Sequence, residues 1–138
     1  MLGPPRYALG ALWHILFARK CRAGVVLDDR YLEDDFQLVA VCNTIFSGSG
    51  MRLAPRAKVD DGKMDVVIVR RASRRQMLHL FRRVFDGSHV HMPFVEYYQV
   101  RSMKILTDDR RPLDIDGEIR GTPPVSGDVL PGAVRIYL

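Results

Sequence analysis

The 138-residue sequence predicts a mainly β fold with two inserted helices, packed as an antiparallel β-sandwich. Three observations predict it. Short runs rich in β-branched and aromatic residues recur between turn signals, only two stretches carry a helical period, and strands and helices do not alternate as a βαβ series would require. No linker, repeat or low-complexity tract divides the chain, so residues 1–138 read as one domain.

The elements follow in order. Pro4 and Pro5 suit a helix start, where an amide donor has no partner to lose. Leu9, Leu12, Trp13, Leu16 and Phe17 then recur at helical spacing, and the helix should end within 19–24. Strands are expected at 25–27 and 36–41, separated by a turn-like acidic stretch at 28–35. Ser47-Gly48-Ser49-Gly50 marks a bend whose backbone approaches something closely. Met64-Asp65-Val66-Val67-Ile68-Val69 reads as a strand introduced by the Asp61-Gly62 turn. Ser73 followed by Gln76 forms a capping box. The helix it opens should bury Met77, Leu78, Phe81, Val84 and Phe85, expose Arg75, His79, Arg82 and Arg83, and end at Gly87. Further strands are expected at 95–100, 102–107, 113–116 and 134–138.

Composition narrows the function classes. Hydrophobic residues make up 47% and charged residues 27%, as in ordinary globular proteins rather than disordered ones. The formal net charge of +5 points to an anionic partner. Cys21 and Cys42 lack a CxxC spacing or a nearby His pair, so reduced thiols are expected, with Cys42 in the core. The apolar stretch 7–18 is too short for a membrane span, which needs about 20 residues, and lacks the layout of a signal peptide.

Five constellations could carry chemistry. In Leu113-Asp114-Ile115-Asp116-Gly117-Glu118 a strand would place Asp114 and Asp116 on one face and Glu118 beyond a glycine turn. Glu118 could accept a proton there, although a hairpin turn with solvated acids is the commoner meaning of Asp-Gly. Asp60-Asp61-Gly62 could hold a hard cation or be a plain turn. Ser47 to Gly50 lacks the Lys-Ser/Thr of a phosphate loop. His89 and His91, if on a strand, would share a face, but no further ligand stands nearby and surface or loop histidines are expected. The basic helix with Arg75, Arg82 and Arg83 is either a solvated face or a site for anionic lipid headgroups. No aromatic-basic RNA signature accompanies it, so nucleic acid is not an expected partner.

Taken together, these segments resemble the C-terminal domain of the diacylglycerol kinase, sphingosine kinase and YegS-type lipid kinases. The likeness runs through Leu2-Gly3-Pro4-Pro5-Arg6-Tyr7-Ala8-Leu9-Gly10, Val41-Cys42-Asn43-Thr44 and Gly48-Ser49-Gly50-Met51-Arg52-Leu53-Ala54-Pro55-Arg56-Ala57. It continues through Asp60-Asp61-Gly62-Lys63-Met64-Asp65-Val66, Asp116-Gly117-Glu118 and Leu130-Pro131-Gly132-Ala133. The order and spacing of the set carry the resemblance. An NAD-kinase-like enzyme of the same superfamily fits these motifs less well.

The resemblance implies a β-sandwich bearing a lipid cleft in an enzyme that phosphorylates lipid hydroxyls with ATP and Mg²⁺. Glu118 matches the glutamate taken as proton acceptor. Asp61 matches the acid that binds Mg²⁺ by its side chain, and Lys58 and Lys63 match the positions that contribute backbone carbonyls. Ser49 stands where glycine is more frequent. The Gly-Gly-Asp-Gly-Thr-type loop of the nucleotide-binding lobe is absent from this sequence. The expectation is a C-terminal portion, inactive unless that lobe is supplied, with a lipid substrate and a peripheral cytoplasmic place on an anionic membrane. The alternative is a non-catalytic lipid- or membrane-binding sandwich.

Overall fold

The computed structural model describes residues 19–48 and 50–135. The expected N-terminal helix and Ser49 lie outside the described residues.

Six strands form one antiparallel sheet in the order β4-β3-β2-β1-β5-β8. These are β1 (Cys21–Leu27), β2 (Arg30–Cys42), β3 (Met64–Arg70), β4 (Val95–Val100), β5 (Ser102–Leu106) and β8 (Val125–Asp128). A separate hairpin pairs β6 (Leu113–Ile115) with β7 (Glu118–Arg120). Among the described residues, one α-helix, α1 (Arg74–Arg83), and a 3₁₀ turn (Ser88–His91) complete the fold.

The centre is β3, buried on both faces. Met64, Val66 and Ile68 pack with Val25, Leu27, Phe36 and Val100. Val67 and Val69 point the other way, against Met77, Leu80, Met92 and Val95. Alternation along a strand requires both layers, and a run of β-branched residues suits a strand enclosed on two sides. Helix α1 supplies the second layer.

The capping box at the start of α1 is present in full. Ser73 Oγ accepts from the Gln76 amide at 3.2 Å, and Gln76 Oε1 accepts from the Ser73 amide at 2.7 Å. At its end Gly87, at φ 80°, donates its amide to Arg83 O at 3.1 Å. The buried stripe is not the one expected. Met77, Leu80 and Val84 face inward, Leu78 and Phe85 are exposed, and Phe81 is half-buried. Spacings of three and seven residues from Met77 select Leu80 and Val84, and Leu78 falls one step off that face.

The acidic stretch 28–35 is not a turn. Only Asp28 and Asp29 turn, and β2 begins at Arg30. Its acids meet cations from neighbouring segments: Arg22 of β1, opposite Asp35 on the ladder, pairs diagonally with Glu33 at 2.9 Å. Tertiary partners here override the low β propensity of Asp and Glu. Strand β1 likewise starts at Cys21, inside the segment assigned to the end of the first helix. Residues 134 and 135 are not strand, and the rest of that expected strand lies outside the described residues. Strand β8, with its weakly patterned Val-Ser-Gly-Asp, had no signal and is held by pairing with β5.

Asp34 sits almost buried where β2, β3 and the chain after β3 meet. Its carboxylate accepts from the Asp35 amide at 2.8 Å and pairs with Arg70 at 3.0 Å and Arg71 at 2.9 Å. Arg70 reaches on to Glu96 of β4 at 2.5 Å. The Asp35 amide, with Arg71 and Arg70, holds the Asp34 carboxyl below its ordinary value despite burial. A depressed native pKa stabilises the fold above the unfolded value, and that contribution is lost as pH falls through the native one. Asp34→Asn should therefore lower the urea midpoint at neutral pH and flatten the decline in stability below about pH 4. Unchanged acid slopes in the variant would remove Asp34 from this account.

Candidate functional site

The Asp116-Gly117 pair makes the two-residue turn between β6 and β7, with φ values of 53° and 83°. Positive φ at both positions is the primed turn whose twist matches a hairpin. Asp116 therefore belongs to the turn, so it does not share a strand face with Asp114 as expected. Asp114 instead accepts the Gly117 amide at 2.8 Å. Glu118 is the first residue after the turn, largely solvent-exposed, with Arg120 as its ion-pair partner on the same strand face. Ile115 and Ile119 are also exposed, at 49% and 69%. The hairpin thus presents the Glu118 carboxylate beside open Ile115, its cross-strand neighbour, with Ile119 on the opposite face.

Asp61 lies in a turn with Gly62 at φ 68°. Its Oδ1 accepts the Lys63 amide at 2.9 Å, while Oδ2 accepts no described hydrogen bond. Asp60, Asp61, Gly62, Arg101, Val129 and Pro131 line an open hollow of about 470 Å³. Lys58 is exposed and Lys63 half-buried. Among the described residues no three His, Cys, Asp or Glu side chains converge. One carboxylate beside turn carbonyls suits a hydrated Mg²⁺, which keeps several waters and takes one or two carboxylates. Arg101 supplies a competing positive charge on the same hollow.

Glu118 and Asp61 are not brought together by any described bond. The Asp61 hollow adjoins Arg101 and Val129, next to the Ser102–Asp128 end of the β5–β8 ladder. The hairpin leaves and returns at the other end, after Leu106 and before Val125.

The remaining sequence candidates separate. Arg75, Arg82 and Arg83 are exposed on α1. His89 and His91 lie in a 3₁₀ turn, where three residues per turn send i and i+2 apart. Of the surface or loop placement expected, only the loop holds for His89, which is fully buried with its Nε2 3.1 Å from Leu53 O. Burial holds its imidazole below the ordinary value. Around Ser47 the chain doubles back, the Ser47 amide donating to Met51 O at 2.9 Å, with Gly48 and Gly50 at φ 57° and 90°. Among the described residues nothing lies within 4 Å of a Cβ placed at Gly50, and its positive φ accounts for that glycine. Cys42 is only half-buried, and burial followed by the charge of Asp65 pushes its thiol up to about 11.

One buried polar group escaped the sequence reading. Asp65 is fully buried, and its Oδ1 accepts from Tyr97 Oη at 2.6 Å and Gln99 Nε2 at 3.0 Å. Its Oδ2 has no partner among the described residues. Burial, then the hydrogen bond to Asp65, raises the Tyr97 hydroxyl pKa. A lone acid inside the run 64–69 was the available signal.

An antiparallel sheet with an acidic turn and an acid-tipped hairpin defines the class of protein, a β-sandwich domain. The chain belongs to the family described as the YegS C-terminal NAD kinase beta sandwich-like domain, whose model matches residues 1–138. It is 29% identical over 137 residues to a Shewanella frigidimarina protein named "Probable lipid kinase YegS-like", covering 99% of this chain and 44% of that one. A Bacillus subtilis diacylglycerol kinase is 23% identical over 124 residues, covering 90% and 41%. The crystal structure of a Bacillus anthracis diacylglycerol kinase superposes with a TM-score of 0.74 at 24% identity, covering 95% of this chain and 45% of that one. The chain therefore spans less than half the length of these relatives. The likeness to the solved structure establishes the antiparallel sandwich fold.

Tyr97→Phe would leave the buried Asp65 carboxylate short of a donor. It should cost about 1–3 kcal/mol in a denaturant titration, the range for stranding a buried polar group. A change within error would show that Gln99 and the backbone satisfy Asp65 without the phenol.

Proposed function

We propose that this chain is the lipid-binding and base-supplying portion of an ATP-dependent kinase acting on a lipid hydroxyl of the diacylglycerol or sphingoid type. The observation that carries the reading is the position of Glu118, held directly after a primed turn on a hairpin that exposes its carboxylate. In that role Glu118 takes the proton of the lipid hydroxyl as its oxygen attacks the terminal phosphorus of ATP and ADP leaves. Arg120 orients the carboxylate. Exposed Ile115 and Ile119 would meet the apolar part of the substrate or the nucleotide-binding lobe.

Phosphoryl transfer relies on positioning and charge neutralisation. Mg²⁺ would supply that neutralisation, and the residues that would hold one such ion here are Asp61 through its carboxylate and Lys58 and Lys63 through their carbonyls. Because that turn lies at the far end of the β5–β8 ladder from the hairpin, its cation would order residues 58–63. ATP would be held mainly by the nucleotide-binding lobe, and this chain alone should transfer no phosphate.

Glu118→Gln in a protein carrying both lobes should abolish lipid phosphorylation while leaving the melting temperature near wild type, since exposed positions rarely shift stability by more than about 0.5 kcal/mol. Retained turnover would exclude Glu118 as the base.

A second reading, docking on an anionic membrane, is favoured by one observation. Leu78 is exposed on α1 and Phe85 just beyond its end, and the helix carries arginines and no acid. Apolar insertion beside basic residues, each contributing about 1 kcal/mol near an anionic surface, is the pattern of an interfacial helix. No helix among the described residues is long and apolar enough to cross a membrane. Changing Arg75, Arg82 and Arg83 to Glu should abolish co-sedimentation with phosphatidylglycerol vesicles. Binding that ignores both the changes and the lipid charge would count against this face.

A further inference from the structure

Between the loop 52–57 and the turn 86–91 lies an open hollow of about 330 Å³. Its walls are fixed to each other. The Arg52 amide donates to Val84 O at 2.8 Å, and buried His89 reaches Leu53 O from the opposite side. Gly87 packs so closely that an added Cβ would stand 3.0 Å from the Cβ of Pro55.

Arg52 and Arg56 line this hollow, each lying over an aromatic ring. The Arg52 guanidinium is 5.9 Å from the centre of Phe46, and that of Arg56 is 5.1 Å from the centre of Tyr97. Tyr97 is itself anchored to buried Asp65, and its hydroxyl accepts the Arg56 amide at 3.2 Å. A guanidinium resting on a ring face keeps its in-plane N–H fork available. Among the described residues neither arginine forms an ion pair with a carboxylate. Asp86, the one acid among the described residues on the lining, is already engaged, accepting the Ser88 amide at 2.8 Å. Ser88 and His91 add a hydroxyl and an imidazole to the same hollow.

We propose that this hollow binds a phosphate group, with Arg52 and Arg56 as a pre-positioned pair of guanidinium forks. Arginine forks match phosphate oxygens two at a time, and two held in one hollow lose little freedom on binding. The volume lies at the low end of ligand pockets, about 300–1,000 Å³, which admits a headgroup and leaves acyl chains outside. The shared chemistry is a phosphate ester or free phosphate, whether presented by an anionic lipid headgroup or in solution. It does not depend on the proton-acceptor role of Glu118.

The test uses the whole chain. ¹⁵N-labelled protein is titrated with inorganic phosphate at fixed ionic strength, and separately sedimented with phosphatidylcholine vesicles with and without phosphatidic acid. Wild type is compared with R52Q/R56Q and with K104Q/R110Q, which removes the same charge from exposed positions elsewhere. A loss of about tenfold or more in affinity for inorganic phosphate, confined to R52Q/R56Q, supports the site and identifies free phosphate as sufficient. If only the phosphatidic acid vesicles bind, and R52Q/R56Q alone loses that binding, the source is a lipid headgroup. The proposal is overturned if wild type binds neither probe, or if R52Q/R56Q behaves like wild type or like K104Q/R110Q. R52K/R56K guards against misfolding. It keeps the charge, should melt as wild type does, and should still bind several-fold more weakly, whereas full retention of affinity would overturn the fork pair.

Discussion

Strand β3 has no solvent face, and the rest of the molecule answers that constraint. Burying Val66 and Ile68 on one side requires β1, the start of β2's core register and Val100 to close over them. Burying Val67 and Val69 on the other requires a layer that the sheet cannot supply, which is why α1 and the 3₁₀ turn lie there. The hydrophobic gain is of the order of 1.5–3 kcal/mol for each large aliphatic side chain removed from water. Those layers in turn position the charged groups at the two ends of β3.

The ends of β3 are where charge enters. At one end Arg70 ties Asp34 of β2 to Glu96 of β4. At the other, Asp65 interrupts the apolar run and holds Tyr97 and Gln99. Tyr97 then carries Arg56, so a carboxylate buried beneath the sheet fixes a guanidinium at the surface. A core demand and a surface property are thus linked through one phenol. The acid-tipped hairpin is different in kind, since it is set by its own turn geometry and joined to the sheet by chain rather than by pairing.

Much of this was legible in the sequence because the signals are local. The capping box at Ser73 and Gln76, the terminating Gly87 and the Asp116-Gly117 turn each depend on residues within a few positions of one another. The run 64–69 announced a strand by its β-branched content. What failed to show was long-range. The stretch 28–35 looks like a turn until Arg22, Arg70 and Arg71 are brought to its acids, and β8 has no pattern apart from its pairing with β5. Leu78 and Leu80 are chemically alike, and only the placement of β3 decides which is buried. His89 and His91 looked equivalent until a 3₁₀ turn sent one inside.

The sequence by itself determined the family, the mainly antiparallel β architecture and the presence of the acidic turn and the Asp-Gly-Glu hairpin, because order, spacing and turn chemistry are properties of the chain. Tertiary structure alone decided that Asp61 lies by one end of the β5–β8 ladder while the hairpin bearing Glu118 branches from the other, and that Asp65 is entombed. It also decided that Arg52 and Arg56 converge on one hollow. Those relations join residues tens of positions apart, and distance in space between such residues is set by which strands pair and which faces must be covered.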